Sequence, residues 1–292
     1  MNGNRKEVFF GQKLSPHIKK LSRQSRPIAR QFLLQNESAD DDSFDIDPFG
    51  ELSRASKVKG LKQRFPDRVL VMTSETCFAN CRYCTRRGIL GKTPIVETPS
   101  DLQKCVDYVK SRKRVRDVLL SGGDVLTLPD EKVARFVDAF AILPQVDVVR
   151  ICTRALSTNP ERITDRLVKM LSKSRKVWVN TQFNCADELT PESVKAASML
   201  VDSGIPVSCQ TVLLKGVNDT PRKMLSLLKA LSSARIRPYY VFMCDPVAGI
   251  DKFRVPLEKA RKIEKYCAEN IGGLSMPRFV QDLPGAKRKV PI

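Results

Sequence analysis

Cys77, Cys81 and Cys84 stand in the run Cys77-Phe-Ala-Asn-Cys81-Arg-Tyr-Cys84, an uneven CxxxCxxC spacing. Three thiolates are one short of the four ligands that close a structural zinc site, and a catalytic zinc normally recruits histidine. The chain has one histidine, His17, far upstream. Soft thiolates holding iron and sulfide, with one iron left without a protein ligand, suit a cluster that does chemistry and can bind a small molecule at the free position. A zinc-binding structural protein is the competing reading; it would carry stoichiometric zinc and no brown colour. The next apolar run ends in Ser121-Gly122-Gly123-Asp124. Backbone N–H groups there, with no side chain in the way, can approach an anionic or amino-acid-like ligand, although a double glycine after a strand is often only a tight turn.

The elements that must position these groups are legible from residue 68 onward. Short β-branched runs at 69–72, 117–120, 146–151, 176–180, 207–212 and 237–242 alternate with amphipathic stretches at 100–111, 129–141, 164–171, 190–203, 221–233 and 256–270. Several of these stretches open with a capping residue or an early proline. Repeated β–α units predict an α/β fold, a partial (βα)6 barrel forming an open crescent, with chemistry at the carboxyl ends of the strands. The cysteines follow the first strand, Ser121–Asp124 the second, Arg154 the third and Cys244-Asp245 the sixth, so all open onto one rim. Residues 1–60 read as an N-terminal helical extension ending in an acidic linker at 37–47, and residues 61–292 as the core.

With 292 residues the chain can bury a large core without staples. Nine cysteines including an oxidisable triplet suit a reducing, cytoplasmic setting. No apolar run approaches the roughly 20 residues of a membrane helix. A net charge of +19 invites a nucleic-acid reading. The basic residues are spread through the helical segments with no aromatic-interleaved platform, so solvated helix faces explain them and a nucleic-acid partner is not expected.

The cysteine triplet followed by the glycine-rich strand end resembles the radical S-adenosylmethionine enzymes. The likeness sharpens to the lysine 2,3-aminomutase family through Arg64-Phe-Pro-Asp-Arg68, Cys81-Arg-Tyr-Cys84-Thr-Arg86, Val118-Leu-Leu-Ser-Gly-Gly-Asp124, Trp178-Val-Asn-Thr-Gln-Phe-Asn184, Val212-Leu-Leu-Lys-Gly-Val-Asn-Asp219 and Arg237-Pro-Tyr-Tyr240. The match runs from about residue 65 to the end, with these blocks in order along it.

That resemblance implies a [4Fe-4S] cluster on Cys77, Cys81 and Cys84, with S-adenosylmethionine bound by Ser121, Gly122, Gly123, Asp124 and Gln210. It implies pyridoxal 5′-phosphate on Lys289, with its phosphate held by Arg64 and Arg68; Lys287 is a competing attachment point. Cationic neighbours Lys287 and Arg288 would favour a neutral, nucleophilic amine at Lys289. Arg86 would take the substrate carboxylate, and Asp245 with Asp282 would receive the terminal ammonium of lysine, a pair that relatives acting on glutamate lack. The implied reaction is an isomerisation moving the lysine amino group from C2 to C3 to give β-lysine. Alternatives are the same reaction dedicated to β-lysylation of elongation factor P, and, in another class, a radical S-adenosylmethionine enzyme modifying RNA. An electron donor such as flavodoxin or ferredoxin would be a partner, and a homo-oligomer is an open expectation. The chain departs from the family where Ala286-Lys-Arg288 replaces a run of glycines. It also ends soon after Lys289, without the family's longer C-terminal region, so the tail is expected to fray unless pyridoxal phosphate orders it.

Overall fold

Threonine–proline and threonine–acidic starts set the helices in register with the strands they follow. Thr98 caps α3 through a reciprocal capping box with Asp101, and Thr164, Thr190 and Thr220 each accept a backbone N–H at a helix start. Each such cap contributes about 1 kcal/mol. The computed structural model describes residues 11–34, 44–52 and 57–292. In chain order it contains α1 (Pro16–Leu21), α2 (Arg26–Phe32), β1 (Leu61–Phe65), β2 (Arg68–Ser74), α3 (Pro99–Lys110), β3 (Asp117–Gly122), α4 (Asp130–Ala141), β4 (Val148–Cys152) and α5 (Ala155–Thr158). There follow α6 (Asp165–Leu171), β5 (Val177–Thr181), α7 (Pro191–Asp202), β6 (Val207–Leu213), α8 (Pro221–Ser233), β7 (Arg237–Met243), α9 (Leu257–Asn270), β8 (Arg278–Gln281) and β9 (Val290–Pro291).

One sheet holds the strands in the order β1 to β9. The run from β2 to β8 is parallel, and β1 and β9 close its two edges antiparallel. All six strands expected from the sequence are present, as β2 to β7, but the sheet is larger. The sequence reading missed β1, β8 and β9. Apolar residues stand only at the ends of Leu61-Lys-Gln-Arg-Phe65, and the other two strands are too short to carry a period.

Alternation within the strands divides the sheet's faces. Val69, Val71, Val118, Leu120, Val149, Ile151, Val177 and Val179 are buried in the main core with the helices. Arg68, Leu70, Asp117, Leu119, Arg150 and Trp178, in the alternate positions, remain partly exposed.

A second apolar cluster decides where the N-terminal helices sit. Ile18, Leu21, Ile28 and Phe32 pack with Ala79 and Tyr83 of the cysteine loop and with Leu214, Val217, Val247, Ile250 and Phe253 beyond β6 and β7. The helical extension therefore shares a core with the rim. Residues 37–43 of the acidic run lie outside the described residues. Its end is stitched down: Ala248 N–H donates to Asp45 O (3.1 Å), and the Asp47 carboxylate accepts from Glu51 and Leu52 N–H (both 2.7 Å). Among the described residues no helix is long and apolar enough to cross a membrane.

Candidate functional site

The loop after β2 carries the three cysteines, all partly buried free thiols. Burial pushes Cys84 up to about 11, with Cys81's charge adding to the effect. Cys77 is raised further, first by burial and then by Cys84 and Cys81. Neighbouring buried sulfurs of this kind need a metal's positive charge to exist as thiolates. Among the described residues no group of His, Cys, Asp or Glu forms a single-ion cage. A cubane asks instead for three thiolates on separate irons.

The glycine pair joins this loop to β3. Gly122 has φ +127°, and a Cβ there would lie 2.2 Å from Ser74 O; one on Gly123 would lie 2.3 Å from Thr76 O. Gly123 N–H donates to Ser74 O and Asp124 N–H to Thr76 O, both at 2.7 Å. The amides of Gly123 and Asp124, expected to face a ligand, thus clasp the cysteine loop. The buried Asp124 carboxylate accepts from Leu126 N–H (3.0 Å), Thr153 Oγ1 (2.7 Å) and Arg154 N–H (2.8 Å). It fastens the ends of β3 and β4 together. The groups that remain at the rim are Ser121 Oγ and Gly122 O, which accept from Arg86 Nη1 at 3.4 and 3.2 Å.

Arg154, just past β4, is the hub that residue types alone did not disclose. Its guanidinium donates to Cys81 Sγ (2.8 Å), Gln31 Oε1 (2.8 Å) and Glu188 Oε2 (2.9 Å). It lies 4.7 Å from the ring centre of Phe32 and 5.5 Å from that of Tyr83. Burial disfavours its charge, but the neighbouring Cys81, Tyr83 and Glu188 outweigh burial and raise its pKa. Gln31 Nε2 donates to Glu188 Oε1 (2.7 Å), and Asn184 Nδ2 to Gln31 Oε1 (3.0 Å) and Tyr83 OH (2.6 Å). The network therefore joins α2, the cysteine loop and the ends of β4 and β5. Arg154 Nε is a buried donor without a partner, which suits an acceptor-bearing group at this loop.

Arg86 is held by Glu51, whose two oxygens accept from Nε (2.8 Å) and Nη2 (3.1 Å). The arginine read as a carboxylate receptor thus already carries a carboxylate, from the segment before β1. Arginine's fork matches that geometry. Arg86 itself keeps its charge against burial because Glu51 lies beside it.

Across the rim, Phe65 at the end of β1 gathers the cations assigned to pyridoxal phosphate. The Arg64 and Arg68 guanidinium carbons and Lys289 Nζ lie 5.2, 4.3 and 5.8 Å from its ring centre. Lys289 pairs with Asp282 Oδ2, and Arg64 Nη1 lies 2.8 Å from Asp282 Oδ1. The neighbour that meets the Lys289 amine is thus an anion, where the sequence suggested only cations. Two guanidinium groups and an amine around one ring fit a phosphate-bearing aldehyde. The tail is seated by the chain itself: β9 pairs with β8, and Ile292 N–H donates to Phe279 O (3.3 Å).

Asp245 and Asp282 both line a cavity of about 370 Å³ with Arg254 and Gln281. Burial, then the charge of Asp282, pushes Asp245 up to about 7. Gln210, on β6, accepts from Tyr239 OH (3.0 Å), which accepts from Asn180 Nδ2 (3.0 Å). Glu51, Gln31, Glu188 and Tyr239 escaped the sequence reading because each acts through a partner distant in the chain.

Residues 71–228 match the model of the radical SAM superfamily. An L-lysine 2,3-aminomutase of Acetoanaerobium sticklandii is 42% identical over 81% of this chain and 57% of its own length. A glutamate 2,3-aminomutase of Clostridioides difficile is 34% identical over 87% of this chain and 60% of its own. The chain thus spans somewhat more than half the length of these relatives. In fold it is similar to Streptococcus suis SuiB bound to S-adenosylmethionine, with TM-score 0.56 and 18% identity over 75% of this chain and 51% of that one. A shared fold, the cysteine loop clasped by its glycines, and this identity over most of the chain lead to one assignment: the chain belongs to the radical SAM superfamily and, within it, to the lysine 2,3-aminomutase family.

Proposed function

We propose that the chain moves the amino group of L-lysine from C2 to C3, giving β-lysine, in a reducing cytoplasmic setting with a one-electron donor. The observation that carries this reading is Asp245, a half-buried carboxylate facing a cavity beside Asp282, raised in pKa by burial and by that neighbour. Two carboxylates at one cavity favour a guest with a cationic side chain, which lysine has and glutamate lacks. A cluster with S-adenosylmethionine would supply hydrogen-atom abstraction, and pyridoxal phosphate a carbonyl and π-system for the migrating nitrogen.

The chain's own residues would bind and orient. Cys77, Cys81 and Cys84 would hold the cluster, Ser121 and Gln210 would contact S-adenosylmethionine, and Arg64 and Arg68 would neutralise the phosphate. Lys289 would leave Asp282 to attach the aldehyde and Arg64 would turn from Asp282 to the phosphate, together freeing that carboxylate to help Asp245 receive the substrate's ε-ammonium. Arg86 would exchange Glu51 for the substrate carboxylate, so entry of lysine at this end is a swap of one anion for another.

The test is anaerobic incubation of reconstituted protein with lysine, S-adenosylmethionine, pyridoxal phosphate and dithionite, scored for β-lysine, with glutamate in a parallel arm. β-Lysine is expected from the parent, with turnover falling by about 10³-fold or more in Lys289→Ala at unchanged iron content. Rearranged glutamate with untouched lysine would sink the substrate assignment.

A further inference from the structure

We propose that Arg154 and Glu188 together set the reduction potential of the iron–sulfur group at Cys77, Cys81 and Cys84, the arginine raising it and the glutamate lowering it. The inference rests on those cysteines holding a cluster. Hydrogen bonds to ligand sulfur and the local net charge are the protein's main means of tuning such a group. Arg154 supplies both at one atom, donating to Cys81 Sγ at 2.8 Å. Among the described residues neither Cys77 nor Cys84 receives a side-chain hydrogen bond, so the perturbation falls on one corner of the cysteine triangle.

The guanidinium cannot swing away to screen itself in solvent. Gln31 Oε1 and Glu188 Oε2 hold its second nitrogen at 2.8 and 2.9 Å, and the side chain is 9% exposed. Glu188 is fully buried. Charges in such surroundings act on one another with little screening. Reduction adds one electron and breaks no bond. A fixed cation beside the thiolate stabilises the more negative, reduced state, and the carboxylate behind it takes part of that effect away. The two residues therefore act with opposite sign.

The test uses full-length chain reconstituted anaerobically, with iron and sulfide per chain, melting temperature and the midpoint potential read by EPR during stepwise dithionite reduction. Arg154→Gln is expected to shift the midpoint negative, Arg154→Lys to shift it less, and Glu188→Gln to shift it positive, all at parental iron content. A folded, iron-loaded Arg154→Gln with the parental potential would overturn the proposal. So would shifts of the same sign in Arg154→Gln and Glu188→Gln, or a folded Arg154→Gln without iron, which would make Arg154 only a scaffold of the loop. Should Arg154→Gln fail to fold, Arg154→Lys and Glu188→Gln decide: opposite shifts support the proposal, and two unchanged potentials end it. A parent that binds no iron would instead overturn the cluster reading itself.

Discussion

Around Arg154, a guanidinium 9% exposed meets a glutamate at 0%, and the polar side chains about them are almost all satisfied within the protein. Around Lys289, the ammonium is 25% exposed and its partner Asp282 14%, while Asp245 faces a cavity. The first arrangement is paired within a shared apolar cluster that includes α1 and α2. The second consists of ion contacts reachable by water. A buried pair is costly to break from one side, whereas a partly exposed pair contributes little to stability. The contrast teaches that one side of the rim is assembled in advance and the other is arranged for exchange.

The largest effect that could break this comparison is on stability. Glu188→Ala leaves Arg154 buried without its anion and is expected to cost about 3–5 kcal/mol. Lys289→Ala should cost less than about 1 kcal/mol. Paired thermal melts check both; equal losses would abolish the distinction.

A smaller effect concerns pH. The folded pKa of Asp245, about 7, lies above its ordinary 3.8, so the folded chain binds the extra proton between those values. Stability from this group should therefore fall as pH rises through that window. Lysine affinity should run the other way, since an ammonium prefers the ionised carboxylate. Calorimetry should find affinity rising by about tenfold between pH 6 and 8 and levelling above that. Asp245→Asn should flatten the profile, and a persistent slope would remove Asp245 from the receptor.

The smallest effect belongs to Glu51. If its carboxylate competes with that of lysine for Arg86, Glu51→Gln should lower the KM for lysine a few-fold, about 0.5–1 kcal/mol, with kcat little changed. A raised KM would instead make Glu51 a support for Arg86.

The sequence made much of this legible. The six strands β2 to β7 and the helices α3, α6, α7 and α8 follow from β-branched runs and threonine caps, which are local signals. Lys289, Asp282, Arg64 and Arg68 were readable by register; the three cations lie around Phe65, and Asp282 pairs with Lys289 and Arg64. What escaped was non-local. No periodicity marks β1, β8 or β9, and nothing near Gln31 or Glu51 in the chain announces the arginines they meet. The glycine motif was found, but its local reading could not foresee that Ser74 O and Thr76 O take two of its amides.

The sheet's strand order has a temporal meaning. Each strand lies beside its predecessor in the chain, so pairing closes one β–α unit at a time and the sheet can grow vectorially as the polypeptide emerges. The cysteine-bearing end can be laid down early, and β9, which places Lys289, docks last on an edge already formed. Pulsed hydrogen exchange during refolding should therefore protect amides of β2 to β4 before those of β8 and β9. An assembling chain would then close its cysteine loop before it places Lys289.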